Sequence, residues 1–269
     1  MFVKKIGVLF VLLFLWFTPS AWCGNLNIEG GLIREATGKP GEKIEGKIEV
    51  RNPSDEVQTI SVVASDYIFF ANGRSFWRNP GSDPRSNGKW LSFTPNRLVI
   101  PPKTTGFVQY SIQVPQNDTL RGTYWSVLSF EALSKDHPEK NLDPKKRNVG
   151  IQTRMSYAVM MVTHIGSSGT KALRIIGKSL VSQKGNVFFR ADIENSGERF
   201  LRPTVWVEIF DKGKSLGRFE GGKLRIFPGC SARFNINLSK VPKGSYTSLL
   251  TADTGDESII GAKYQLDIK

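Results

Sequence analysis

The chain has 269 residues, with 37 Lys and Arg against 24 Asp and Glu, so its formal net charge is +13. Hydrophobic residues make up 39% and charged residues 23%, an ordinary globular mixture that excludes a mainly disordered chain, a collagen and a coiled coil. The 26 Gly and 14 Pro favour many short strands, while two Cys and two His exclude a disulfide scaffold and leave little for a metal cluster.

The first segment has the features of a secretory signal peptide. Two lysines precede an apolar run over residues 6–17, and small residues follow up to Cys23. This run is too short to span a bilayer, which takes about 20 residues. We therefore predict a signal peptide over residues 1–23, a periplasmic or secreted protein, and no transmembrane segment in the mature chain. Lipoprotein anchoring through Cys23 is the alternative, and the bulky Trp22 before it argues against it.

Export also limits the kinds of partner that the positive charge can indicate. Removal of the two signal-peptide lysines lowers the formal charge from +13 to +11. The remaining basic residues are spread along the chain, and no stretch has the character of a recognition helix, so we predict no nucleic-acid partner. Solubility or anionic polymers of the cell surface explain the charge better.

After residue 24, apolar and polar residues alternate, which is the pattern of half-buried strands. The alternation is clear over residues 44–50, 107–114 and 205–209, and Asn, Pro and Gly clusters separate such runs. Short strands at this spacing predict an all-β chain built from β-sandwiches.

One set of sequence signals occurs twice in the same order. The signals are an Asn turn (Asn52, Asn195), an Ile before Pro-rich turns (Ile100, Ile226), a Val-Pro pair (114–115, 241–242) and a Gly-x-Tyr triplet (122–124, 244–246). The repetition predicts two tandem immunoglobulin-like domains, at residues 24–166 and 170–269, with a short flexible joint between them. The alternative is that any β-sandwich reuses such turns without a duplication.

The sequence contains few features that indicate a catalytic site. Nucleophile elbows, phosphate loops and dinucleotide-binding motifs are missing, and neither His137 nor His164 has a Cys or Asp at ligand spacing. The triplet Asp253-Thr254-Gly255 resembles that of aspartic proteases, but their mechanism needs two carboxylates that share a proton, and one triplet supplies only one. A polar hairpin turn is the better interpretation. We therefore predict no enzymatic activity, no cofactor and no metal.

Aromatic residues cluster between residues 67 and 93, interleaved with Arg and Lys. Phe76, Trp77 and Trp90 are candidates for a ligand platform on which a sugar could stack. The alternative is that these side chains belong to the core and anchor an excursion of the chain over residues 72–88, since aromatic residues on strands usually lie in the core.

Residues 122–131, followed by a charged segment and by the run that begins at Arg147, resemble the periplasmic chaperones of the chaperone–usher pilus pathway. The resemblance covers most of residues 25–165 and implies two immunoglobulin-like domains. It also implies that Arg154, after Gln152 and Thr153, holds the terminal carboxylate of a subunit. Two further roles follow from it: Val149 and Ile151 are donated into an unfinished pilin, and Arg34 is the partner arginine of the first strand. Only two apolar residues alternate before Gln152, and the excursion 72–88 is additional to the family pattern.

A weaker resemblance, carried by Pro40 to Gly46 and Gly122-Thr123-Tyr124, is to Gram-positive surface proteins with an immunoglobulin-like peptidoglycan-binding domain. Together these features predict a non-enzymatic, chaperone-like periplasmic protein that binds a surface or pilus subunit by β-strand addition. The alternative is a secreted envelope-binding module that recognises peptidoglycan or another surface glycan or protein.

Overall fold

The computed structural model describes residues 26–133, 155–255 and 259–269, and every regular element in these ranges is a β-strand. The predicted signal peptide lies outside the described residues. Within the described part of the chain there is no helix that could cross a membrane.

The first ten strands build one sandwich. They are β1 (Asn27–Ile28), β2 (Ile33–Gly38), β3 (Lys43–Arg51), β4 (Gln58–Phe69), β5 (Ser75–Arg78), β6 (Leu91–Thr94), β7 (Arg97–Ile100), β8 (Thr105–Gln113), β9 (Gly122–Ala132) and β10 (Ser156–Ile165). One sheet has the order β1-β3-β8-β6, and the other has the order β2-β10-β9-β4-β5, with β7 beside β4. The inward residues of the two sheets meet in a core that includes the fully buried Ile48, Val108 and Phe130.

The last seven strands build a second sandwich. They are β11 (Leu173–Gln183), β12 (Asn186–Asn195), β13 (Thr204–Asp211), β14 (Lys214–Lys223), β15 (Ser231–Asn237), β16 (Gly244–Asp253) and β17 (Ile259–Ile268). The sheets have the orders β11-β12-β15 and β14-β13-β16-β17, around a core that includes Phe189, Ile209 and Phe234. Both strand orders are immunoglobulin-like, so the predicted fold of two tandem immunoglobulin-like sandwiches is confirmed.

The duplicated signals occupy equivalent places in the two sandwiches. The side-chain amide of Asn52 donates to the carbonyl oxygen of Ile100 at 3.0 Å, and that of Asn195 donates to the carbonyl oxygen of Ile226 at 2.8 Å. Both asparagines are fully buried. A buried amide needs such partners because an unpaired polar group in the interior is costly, so each Asn ties the end of one strand to the turn that precedes another.

The predicted flexible joint is instead held by hydrogen bonds. The guanidinium of Arg199 donates to the carbonyl oxygens of Ser168 (2.9 Å) and Gly166 (3.3 Å). The backbone N–H of Thr170 donates to the Glu198 carboxylate at 3.1 Å. A Gly- and Ser-rich composition indicates flexibility only where nothing binds the backbone, and here the second sandwich binds it.

Candidate functional site

The first sandwich has a strand edge that is only partly covered. Strand β10 pairs along its whole length with β9, from Ser156 opposite Glu131 to Ile165 opposite Gly122. On its other side it pairs in parallel with β2, but only from Met160 to Ile165. No described strand pairs with residues 156–159 on that side. The backbone groups of such an edge are a ready template for a strand from another chain.

A strand switch near the start of the chain decides where this open edge ends. The short β1 pairs with β3 in one sheet, and β2 then crosses to β10 in the other. Gly30 and Gly31 make the crossing with φ values of +74° and +82°, a conformation that favours glycine. The backbone N–H of Met160 donates to the carbonyl oxygen of Leu32, and the cover of β10 by β2 begins at that point.

Arg34, the predicted partner arginine, holds this switch together. Its guanidinium donates to the carbonyl oxygens of Glu29, Gly30, Gly31 and Ile33, with 2.9 Å to Gly31. These contacts fix the turn between β1 and β2, and they use donors that a partner's carboxylate would need. The role of Arg34 as a carboxylate ligand stays a prediction.

A groove of about 500 Å³ lies beside Arg34. Its lining combines the acidic Glu29, Glu35 and Glu49 with Lys47 and Tyr110. Burial raises the pKa of the Tyr110 hydroxyl, and the charge of Arg34 opposes that shift. The three carboxylates outnumber the two cations, Arg34 and Lys47, so the groove is a poor place for a further anion.

Apolar side chains flank the open edge. Leu32 precedes β2 and is 49% exposed, and Met155 precedes β10 and is 38% exposed. Inside the sandwich, Val159 and Met161 of β10 are fully buried and anchor the strand in the core. The edge therefore combines a backbone that β9 pairs on one side with exposed apolar side chains that a partner strand could cover. The other predicted binding residues, Val149, Ile151 and Arg154, lie outside the described residues.

Two of the three candidate platform residues, Phe76 and Trp77, are neighbours on β5, and their side chains therefore lie on opposite faces of the strand. Trp77 is 54% exposed, and its ring lies 4.5 Å from that of Tyr67 on the paired strand. The guanidinium groups of Arg74 and Arg78 lie over the ring of Phe76 at 5.3 and 5.6 Å. One face of the hairpin thus presents the rings of Trp77 and Tyr67, and the other face presents Phe76 beside the two arginines.

Trp90, the third candidate, lies elsewhere. Its ring packs at 4.7 Å against Tyr124, which is 8% exposed, and it contacts the core of the first sandwich. The structure does not bring Trp90 together with Phe76 and Trp77. Trp90 therefore packs as the alternative interpretation of these aromatic residues predicts, against the core.

The triplet at Asp253 forms a turn. Strand β16 ends at Asp253, whose carboxylate accepts a hydrogen bond of 2.7 Å from the backbone N–H of Gly255. This is the local side-chain-to-backbone bond that Asp makes in turns.

Sequence reasoning missed a buried carboxylate in β4. Asp66 is 2% exposed, and its carboxylate accepts hydrogen bonds from the backbone N–H groups of Gly81, Ser82 and Asp83 and from the Ser86 hydroxyl. The signal that could have revealed it is an acidic residue on the inward side of the β4 alternation, in line with Ile60, Val62 and Ile68. A buried carboxylate requires donors around it.

No protein-family model matches this sequence, and no curated protein matches it significantly. Solved structures that are similar to the chain include one from a chaperone–tip adhesin complex of CFA/I fimbriae biogenesis, with 16% identity, a TM-score of 0.47, and cover of 90% of this chain and 98% of that chain. The class 5 fimbriae chaperone CfaA has 14% identity and a TM-score of 0.47, with cover of 89% and 98%.

A chain from the CsuC–CsuE chaperone–tip adhesion subunit pre-assembly complex of Acinetobacter baumannii Csu pili has 12% identity and a TM-score of 0.45, with cover of 88% and 97%. These structures come from the class of proteins that the sequence resembles.

Proposed function

We propose that this protein is a non-enzymatic periplasmic chaperone that binds a pilus or other surface subunit by β-strand addition. The observation that carries the proposal is the edge of β10 at residues 156–159, which β9 pairs on one side and no described strand pairs on the other. Strand addition uses such an edge because main-chain hydrogen bonds supply affinity and alternate side chains supply specificity. The predicted signal peptide supports the location.

In this mechanism an extended strand of the subunit pairs with residues 156–159 and continues along the segment that precedes them. Val149 and Ile151 enter apolar pockets of the subunit, each contributing about 1.5–3 kcal/mol when fully buried. Arg154 donates charge-assisted hydrogen bonds to a carboxylate of the subunit. Leu32 and Met155, exposed beside the edge, are covered by the same partner.

The test is coexpression with candidate subunits encoded by neighbouring genes, followed by copurification and amide hydrogen exchange. Arg154→Ala should abolish recovery of the subunit, and the bound subunit should slow exchange at residues 156–159. Arg51→Ala is the matched control, because Arg51 is an exposed arginine in the opposite sheet and its loss should leave recovery unchanged. Full recovery with Arg154→Ala, or unchanged exchange at residues 156–159, would contradict the mechanism.

A second candidate function is binding of cell-wall glycan through the β5 hairpin, and the 54% exposure of Trp77 beside Tyr67 favours it. Sugars stack on exposed aromatic rings of this kind. Sedimentation with purified cell wall separates the two functions, since a pilus-type chaperone should stay soluble. Wall binding that Trp77→Ala leaves intact would exclude the hairpin as its site.

A further inference from the structure

The segment over residues 79–88, between β5 and β6, has little regular structure, yet it is fixed to the first sandwich. The Asp66 carboxylate binds three successive backbone N–H groups at its start, those of Gly81, Ser82 and Asp83, at 2.8–3.2 Å. The Ser86 hydroxyl donates to the same carboxylate and also accepts from the N–H of Gly81. A buried carboxylate with this many donors holds a loop firmly, because releasing the loop would leave the charge unpaired.

The far end of the segment is inserted into the sheet. The side-chain amide of Asn87, fully buried, donates to the Met161 carbonyl oxygen at 3.0 Å and to the Thr163 hydroxyl at 2.9 Å, both on β10. The N–H of Trp125 on β9 donates to the Arg85 carbonyl oxygen at 2.9 Å. The backbone beside Arg85 is thus fixed to the two strands that form the proposed partner-binding edge.

From this fixed position Arg85 reaches the second sandwich. Its guanidinium forms an ion pair of 2.9 Å with the Glu198 carboxylate and also donates to the Arg121 carbonyl oxygen. The side chains of Arg85 and Glu198 are 23% and 35% exposed, so water screens the pair only in part. The Thr170 N–H and the Arg85 guanidinium both lower the pKa of the Glu198 carboxyl, which keeps the carboxylate charged.

The backbone of Glu198 is held by the first sandwich as well. The Thr123 N–H donates to the Glu198 carbonyl oxygen at 2.8 Å, and the Phe200 N–H donates to the Thr123 hydroxyl at 2.9 Å. Gly122 has φ +74°, and a β-carbon there would lie 2.1 Å from the Glu198 carbonyl oxygen. Only glycine allows so close an approach, so the turn that carries Glu198 sits directly on the start of β9.

Aromatic packing lies next to this polar contact. The ring of Phe227 in the second sandwich stacks on Trp125 at 4.9 Å and meets the edge of Phe69 at 6.3 Å. Apolar contacts of this type resist separation but allow sliding, since the hydrophobic effect has no direction. The directional contacts are the Arg85–Glu198 ion pair and the hydrogen bonds that join Thr123 to residues 198 and 200.

We propose that the segment 79–88 is a strut that sets the orientation of the second sandwich relative to the β9–β10 edge, with Arg85 and Glu198 as its positioning pair. The strut is the part of the chain that the resemblance to pilus chaperones leaves unexplained. Its consequence for partner binding rests on the proposed function. Its consequence for the orientation does not.

Spin-label distance measurements test the orientation. Labels at Lys47→Cys in the first sandwich and Lys214→Cys in the second report the separation, while Cys230, fully buried and with its thiol pKa raised to about 11, stays unlabelled. Arg85→Gln should broaden and shift the distance distribution. The exchanged pair Arg85→Glu with Glu198→Arg should restore a narrow distribution. Arg74→Gln is the matched control, because this arginine lies in the same excursion and its guanidinium packs over Phe76, at the β5 hairpin.

Each result decides the proposal. A distribution with Arg85→Gln that equals that of the unchanged protein would overturn it, and so would a broadening that the exchanged pair fails to reverse. If Arg85→Gln does not fold, Glu198→Gln probes the same pair from the other side, and circular dichroism with urea unfolding reports the fold.

A binding measurement then links orientation to function. With a copurifying subunit, Arg85→Gln should lower the affinity about tenfold, which corresponds to 1.4 kcal/mol, and the exchanged pair should recover most of the loss. Unchanged affinity together with a broadened distribution would refute the link to binding. If the unchanged protein captures no subunit, the proposed function fails, while the distance result stands by itself.

Discussion

Asn195 repeats in the second sandwich the hydrogen bonds that Asn52 makes in the first. The Asn52 side chain accepts from the backbone N–H of Ser54 at 3.0 Å, and the Asn195 side chain accepts from that of Gly197 at the same distance. Each amide also donates to the carbonyl oxygen four residues later, at 2.7 Å in both cases. The same set of asparagine hydrogen bonds therefore joins two loops in each sandwich.

Replacement of either asparagine by alanine should be strongly destabilising. Asn52→Ala or Asn195→Ala leaves buried carbonyl oxygens without a donor, and the free energy of unfolding should fall by about 2–3 kcal/mol. Urea denaturation measures the loss. Asn96→Ala, at an exposed position, is the control and should change the free energy by less than about 0.5 kcal/mol. An equal effect of Asn96→Ala would show that the amide hydrogen bonds are not the cause.

Asp66→Ala should release the segment 79–88. The change leaves the backbone N–H groups of Ser82 and Asp83 and the Ser86 hydroxyl without their acceptor, and we expect a loss of about 3 kcal/mol in unfolding free energy. In limited proteolysis, the variant should be cleaved within residues 79–88 under conditions in which the unchanged protein stays intact. Asp118→Ala, at an exposed loop position, should cut as slowly as the unchanged protein. Resistance of the Asp66 variant to cleavage would refute the anchoring role.

His164 should make the joint between the sandwiches sensitive to acid. Burial lowers the pKa of its imidazole, with Glu35 acting in the opposite direction. The ring nitrogen Nδ1 lies 2.9 Å from the Thr123 hydroxyl, which also accepts the Phe200 N–H. Because the folded pKa lies below the unfolded value of about 6.5, the unfolded state binds the proton first as the pH falls. Stability should then decline below about pH 6.5 until the folded pKa is passed.

Unfolding measured in urea at pH 7.5 and at pH 5.5 checks this sign. His164→Gln keeps a hydrogen-bonding side chain without the titration, and it should lose less stability between the two pH values than the unchanged protein loses. Equal losses in the two proteins would assign the acid sensitivity to other groups.

Cys230 should be unreactive in the native protein. It is fully buried, and burial raises the pKa of its thiol to about 11, so thiolate is scarce at pH 8. A thiol reagent such as DTNB should react slowly with native protein and at the normal rate in guanidinium chloride. A cysteine introduced at the exposed Lys47 provides the reference rate. Fast native labelling of Cys230 would mean that the second sandwich opens readily.

Much of the architecture could be predicted from sequence because strand alternation and turn residues act locally. Along β13, at residues 204–211, the alternation in the sequence matches the alternation of buried residues in the structure. The repeated Asn turns likewise indicate the two similar sandwiches. The candidate platform could be predicted only in part. Phe76 and Trp77 are neighbours on one strand, whereas the contact that places Trp90 in the core is with Tyr124, a residue distant in sequence. The joint was expected to be flexible because its partner, Arg199, lies beyond the local window.

The alternation and the duplicated turns determined by themselves an all-β chain with two similar sandwiches, since both are local properties of the sequence. The tertiary structure alone decided where β2 stops covering β10, and that Arg85 meets Glu198. Both depend on pairing between segments far apart in the chain, which no local pattern encodes. The open edge and the strut are therefore properties of the fold, and the predictions above test them there.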